Sequence, residues 1–301
     1  MSEESVKYRF YQYTPKYWVA VHYAVIFFIL AIVEAYFVVS IYVKFRGRIR
    51  SKKLRRYCNV MIPFFIGILL EVIGFTARAF SCKNPETLMP FVIQSVCILI
   101  GPTLILASTY MIFCEFARSL DAESYSKVPL SYLSKVFVTG DIVSLFVQVC
   151  GGGLQVVQSE SLQKLARVLV ILGVIVQLLF FTGFCYVLLR FIMKIRSNPT
   201  KVSNTLESSF PNIGNWKHGL MVLGLSCILL MVRSVFRCVE MIEGYNGQLQ
   251  SGEVYLFTLD TAMVLVTISL HLTFNWTGYF CRVHHFYSSV FDDAELESIV
   301  N

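Results

Sequence analysis

The chain has 301 residues, of which 56% are hydrophobic and only 15% charged. That balance excludes an ordinary soluble globule and fits a chain that is mostly bilayer-spanning helix. The net charge of +7 does not mark a nucleic-acid binder, because the basic residues gather in short loops between apolar runs, the pattern that sets membrane orientation.

In chain order, residues 1–17 read as an extracellular N-terminus. Residues 18–280 read as an all-α bundle of seven transmembrane helices, and 281–301 as a cytoplasmic tail. The first span runs from about Trp18 to Val43 and holds His22 and Glu34 as isolated polar residues. Lys44 to Arg56 follows with eight Lys and Arg, which places that loop in the cytoplasm and the N-terminus outside. The second span, about Tyr57 to Phe80, carries Glu71 and Arg78 outward. The third, about Met89 to Phe116, returns with Gln94 and a central Gly101-Pro102 pair. Proline there removes a backbone donor and kinks the helix.

The fourth span, about Tyr132 to Gly151, places Asp141 and Gln148 on one face and ends in Gly151-Gly152-Gly153. Three glycines permit a sharp turn or close helix approach, and no Walker lysine follows them. The fifth span, about Leu165 to Phe191, has Gln177 near mid-depth. The sixth, about His218 to Met241, contains Arg233, Arg237 and Glu240, which spacings of three and four put on one helix face. The seventh, about Val254 to Tyr279, carries Asp260 and His271, and an acidic stretch from Asp292 to Glu297 lies near the end of the tail. Seventeen of the 26 Lys and Arg fall on the cytoplasmic side in this arrangement. It therefore has the N-terminus outside and the C-terminus inside. Nine cysteines show no metal-binding spacing. Cys82, Cys150 and Cys238 lie near outer span ends, where a disulfide among them is conceivable.

Charges inside spans must face the bundle interior and find partners. At about 1.5 Å per residue, Arg78 and Glu240 lie near the outer surface and Asp260 about two turns below the outer start of its span. Glu71, Arg233, Arg237, Gln94 and Gln148 lie in the outer half, with Gln177 central, Asp141 deeper and His271 deeper still. Two readings fit this convergence: a salt-bridge network that pins helices, or a polar pocket open to the outside. The carboxylates Glu71, Asp141, Glu240 and Asp260 outnumber Arg78, Arg233 and Arg237 by one. An unpaired carboxylate would take a proton or a cationic group of a ligand. Catalytic signals are missing: no HxxxH lies in a span and no GxSxG is present, so no enzyme, metal or cofactor is expected. The sequon at Asn275-Trp-Thr277 falls at the inner end of the last span, beyond the reach of glycosylation.

The chain resembles the fungal RTA-like proteins, also called the lipid-translocating exporter family. The second span reads Glu71-Val-Ile-Gly74-Phe75-Thr-Ala-Arg78 and the fourth Asp141-Ile-Val-Ser144 through Gln148 to Gly151-Gly152-Gly153. The sixth reads Arg233-Ser-Val-Phe236-Arg237-Cys-Val-Glu240, then Gly244, and the seventh runs from Glu253 to Asp260. Tyr13-Thr-Pro15 matches an N-terminal Y-x-P. Gly101-Pro102 stands where many members have Ala-Pro, and His271-Leu-Thr-Phe-Asn275 where many have His-Pro-Gly. The resemblance implies a multi-pass fungal protein of the plasma membrane. It implies a translocator or exporter of amphiphilic lipids such as sphingoid long-chain bases, or of amphiphilic toxins in drug resistance. Its partners would be membrane lipids and amphiphilic small molecules. A seven-helix receptor or sensor for such a ligand is the alternative, ahead of a porphyrin transporter or a membrane hydrolase. No ATP-binding motif is present, so transport would need a gradient or a facilitated path.

Overall fold

The structure, a computed structural model, describes residues 15–44, 52–84, 87–126, 129–154, 159–209, 215–244 and, with short gaps, 247–286. Tyr13, most of the basic loop and the acidic stretch of the tail lie outside the described residues. The expected spans are all helical. They are α1 (Tyr17–Lys44), α2 (Lys52–Lys83), α3 (Leu88–Ser119), α4 (Leu130–Leu154), α5 (Glu160–Ser197), α7 (Trp216–Glu243) and α8 (Glu253–His284). A short α6 (Lys201–Ser209) sits between α5 and α7. At about 1.5 Å per residue, each span is long enough to cross the ~30 Å hydrocarbon layer. Seven helices are apolar enough to do so.

The helices form a closed ring. Chain neighbours pack from α1 to α5, α5 packs on α7, α7 on α8, and α8 returns to α1. Helix α3 also touches α7 across the middle. Outward-facing side chains such as Phe28, Phe146, Leu179 and Ile228 are more than half exposed, as lipid-facing residues are. One end of the ring carries the start of α8 and is called the Glu253 end; exposed Trp18 lies near it. The opposite Trp216 end is packed with aromatic rings, among them Phe113, Phe116, Phe191, Trp216, Trp276 and Phe280.

Local chemistry explains the helix ends and contacts. Asn215 caps α7 by accepting from the Lys217 N–H at 3.0 Å. At its other end Gly244 has φ +71°, and a Cβ there would strike the Arg167 guanidinium. Arg167 of α5 donates to the carbonyls of Ile242 and Glu243, which satisfies helix-terminal acceptors with a cation. Gly151 and Gly173 let α4 and α5 approach, since a Cβ on Gly151 would meet the Ala166 carbonyl at 2.9 Å. Helix α4 continues through all three glycines, so the run makes a close contact at Gly151 and not a turn.

The last span departs most from a plain helix. One turn (Glu253–Tyr255) leads into a π-helical segment (Leu256–Thr261), then into α-helix Ala262–Phe274. Asn275 breaks it at φ 51°. Its side-chain oxygen accepts from the Gly278 N–H at 2.9 Å, so it also starts the final turns. These turns run to His284, past the boundary expected at 280, because Cys281 and Val283 are buried in the aromatic end. All nine cysteines are free. The disulfide considered among Cys82, Cys150 and Cys238 is therefore not made; Cys150 is exposed on the outside of α4.

Candidate functional site

The site starts from a proline. Pro102 has no N–H, so the carbonyl four residues earlier, Ile98, loses its helical donor. Arg233 of α7 supplies one from its Nη2 at 3.3 Å. The gap that Pro102 leaves in the α3 hydrogen-bond ladder and the buried arginine are thus one device. The same arginine places Nε 2.9 Å from Asp260 Oδ1. One turn further along α7, Arg237 grips Asp260 in a bidentate pair, Nε to Oδ1 at 2.9 Å and Nη2 to Oδ2 at 2.5 Å. Its Nη1 donates to Glu240 Oε2 at 3.2 Å. Two arginines four residues apart would repel in a low dielectric; Asp260, 1% exposed, lies between them, accepting hydrogen bonds from Arg237 and forming an ion pair with Arg233. Asp260 stands on the π-helical segment, a wide turn that recurs where a helix presents a functional side chain.

Glu71 is buried next to this network, and Arg233 and Arg237 are its nearest cations. It is not the direct partner of Arg237. Its Oε1 makes no hydrogen bond among the described residues and lies against Gly101, where a Cβ would come within 3.0 Å of it. Gln94 is buried on α3, one turn before Ile98.

The expected single cluster resolves into separate groups. Arg78 does not join the others: its Nη2 pairs at 2.9 Å with Glu253, and both are buried. The Glu253 carboxylate also accepts from the Lys16 backbone N–H at 3.1 and 3.2 Å, tying α1, α2 and α8 together. The Arg78 guanidinium lies 5.3 Å from the centre of the Phe257 ring, which stacks on Tyr23. Glu253 is a buried, paired carboxylate that the charge count left out. It begins the last span, where a carboxylate reads as solvent-facing.

A second group crosses three other helices. Gln148 of α4 donates to Gln177 of α5 at 3.0 Å, and Gln177 donates to the Thr103 hydroxyl of α3 at 3.3 Å. Seven residues from each of these positions lie Asp141, Phe184 and Tyr110. Asp141 is 1% exposed, and neither of its oxygens has a hydrogen-bond partner among the described residues. The Tyr110 hydroxyl of α3 is the polar group that faces this carboxylate. His271, deeper in α8, is enclosed by Phe64 and Trp276 and belongs to none of these groups.

Arg233 and Arg237 are matched by Asp260 and Glu240, and Arg78 by Glu253. Three buried carboxylates, Glu34, Glu71 and Asp141, are left over among the described residues, where the sequence count expected one. Glu71 sits beside the paired arginines, whereas no cationic side chain among the described residues pairs with Asp141.

Seven membrane-length helices around buried ion pairs define a multi-pass membrane protein. The family model described as RTA1 like protein matches residues 64–283, and the chain belongs to that family. Protein RTA1 of Saccharomyces cerevisiae is 32% identical over 91% of this chain and 87% of its own. The protoporphyrin uptake protein 1 of the same organism is 33% identical over 69% of this chain and 65% of its own. The sphingoid long-chain base transporter RSB1 of that yeast is 24% identical over 69% of this chain and 62% of its own. No solved structure matches the chain.

Proposed function

We propose that the protein translocates amphiphilic lipids, of the sphingoid long-chain base type, across the plasma membrane, with the Glu253 end facing outward. The observation that carries this reading is the surplus of three buried carboxylates, Glu34, Glu71 and Asp141, over the matched ion pairs of the bundle. Helix pinning needs only the matched pairs. An unmatched acid in hydrocarbon is costly, and such residues mark substrate or ion pathways. The names of two relatives point the same way, since one transports a sphingoid base and the other takes up a porphyrin. Transport without chemical change of the lipid completes the reading.

The test is leaflet-resolved movement of a fluorescent sphingoid base in proteoliposomes. Faster equilibration with protein than without is the expected result. Equal rates under every gradient would sink the proposal. A receptor reading shares the same site. Saturable binding of the base without any flux would favour it.

A further inference from the structure

The matched ion pairs leave Asp141 as a distinct feature. It stands at mid-depth on α4, 1% exposed, with both carboxylate oxygens unpartnered among the described residues. Three helices pack its surroundings. From α3 comes the fully buried Tyr110 hydroxyl, the polar group that faces the carboxylate. The other titratable groups near Tyr110 are the thiols of Cys185 on α5 and Cys227 on α7. No lysine, arginine or histidine among the described residues faces the carboxylate.

The enclosure limits the occupant. The Tyr110 ring centre lies 4.3 Å from that of Phe184 and 5.7 Å from that of Phe137, and Phe181 and Phe184 are fully buried. Rings in mutual contact wall this side of the acid. A proton needs no room there; an alkylammonium group does.

The acid is also connected. The step from Asp141 to Gln148, from Tyr110 to Thr103 and from Phe184 to Gln177 is the same seven residues on three helices. Two helical turns are about 10 Å. The Gln148–Gln177–Thr103 chain therefore forms a polar layer directly on the Glu253 side of Asp141. Roughly one and a half turns further along α3 lies the Ile98 carbonyl, where Arg233 and the ion network begin. Polar atoms thus recur in steps along the inner face of α3 from Tyr110 towards the Glu253 end.

We propose that Asp141 is a proton-binding site that couples this protein's transport to a proton gradient. In one half of the cycle the carboxylate takes a proton delivered from water at the Glu253 end by way of the polar layer, giving the neutral acid. In the other half the O–H bond breaks and the proton leaves to water, regenerating the carboxylate. No electron is transferred. Tyr110, whose hydroxyl both donates and accepts, is the positioning residue for the transfer. The coupling rests on the translocator reading; the proton site does not.

The experiment has two arms on the purified full chain. In proteoliposomes, wild-type flux of a fluorescent long-chain amine should change several-fold when a pH gradient is imposed, and Asp141→Asn should lose that response. In the infrared spectrum, wild type should show the C=O stretch of a buried protonated acid, absent from Asp141→Asn and shifted in Tyr110→Phe, which keeps the ring packing. Wild-type flux indifferent to the gradient, or Asp141→Asn flux still responding to it, would overturn the coupling and leave translocation standing. Absence of any flux with the infrared band present would remove the translocator and keep the proton site. Identical spectra for wild type and Asp141→Asn would remove the site, as would loss of the band on adding the amine at fixed pH, which would make the amine the occupant.

Discussion

Arg237 donates to carboxylates on two helices, and its side chain is only 16% exposed. Removing it leaves Asp260 with the Arg233 ion pair and takes away the ion pair of Glu240. Breaking a buried pair in this way costs about 3–5 kcal/mol, because the remaining charge stays desolvated. Arg237→Ala should therefore lower the thermal unfolding midpoint in detergent sharply, and Arg237→Lys should recover only part, since an ammonium cannot reproduce the bidentate grip. Glu253→Gln should likewise destabilise by separating Arg78 from its partner, read in the same thermal assay. Flux through surviving Arg237→Ala protein distinguishes scaffold from transport machinery. The identities of Arg233, Arg237, Glu240 and Asp260 are legible in the sequence, because a charge inside an apolar run has no bland place to go. Their pairing is not legible. It depends on the π-helical segment that carries Asp260, which has no sequence signature, and on lateral packing that leaves Glu71 beside the arginines without bonding to them.

Helix α3 is the element on which the site turns. The span itself and its Gly101-Pro102 pair follow from sequence, as do all seven spans, because length and hydropathy are strong signals at membrane scale. What fills the gap left by Pro102 does not follow, since the donor comes from position 233, far along the chain. Pro102→Ala returns an N–H to the Ile98 carbonyl, and the restored helical bond contributes about 1 kcal/mol. Arg233 then competes for an acceptor it now holds alone. The expected outcome is an unfolding midpoint equal to or above that of wild type with slower lipid movement. A lower midpoint with normal movement would mean that the break in the α3 hydrogen-bond ladder serves packing only. The Asn275 break teaches a related point. The sequence shows a glycosylation signal at the end of a span. The fold uses that side chain as a cap, with its oxygen already engaged by Gly278.

For the whole molecule, orientation rests on the distribution of basic residues, and it can be read directly. Asn84 and Ser124 are exposed at opposite ends of α3. In a cysteine-free background, a membrane-impermeant maleimide added to intact cells should label Asn84→Cys and spare Ser124→Cys until the membrane is opened. The reverse pattern would turn the bundle over and put the Arg237 network on the cytoplasmic side. The tryptophans supply an optical consequence of the aromatic packing at one end. There are three, and Trp216 and Trp276 are 1% and 2% exposed, whereas Trp18, at the other end, is 71% exposed. Intrinsic fluorescence is therefore split by location. A quencher carried on lipid should darken Trp18 and leave the other two bright, and Trp18→Phe should remove nearly all of the quenchable emission. Excited at the tryptophan band, the unlabelled protein reports on its two faces separately, so motion at one end during a transport cycle can be timed against the other without attaching a dye.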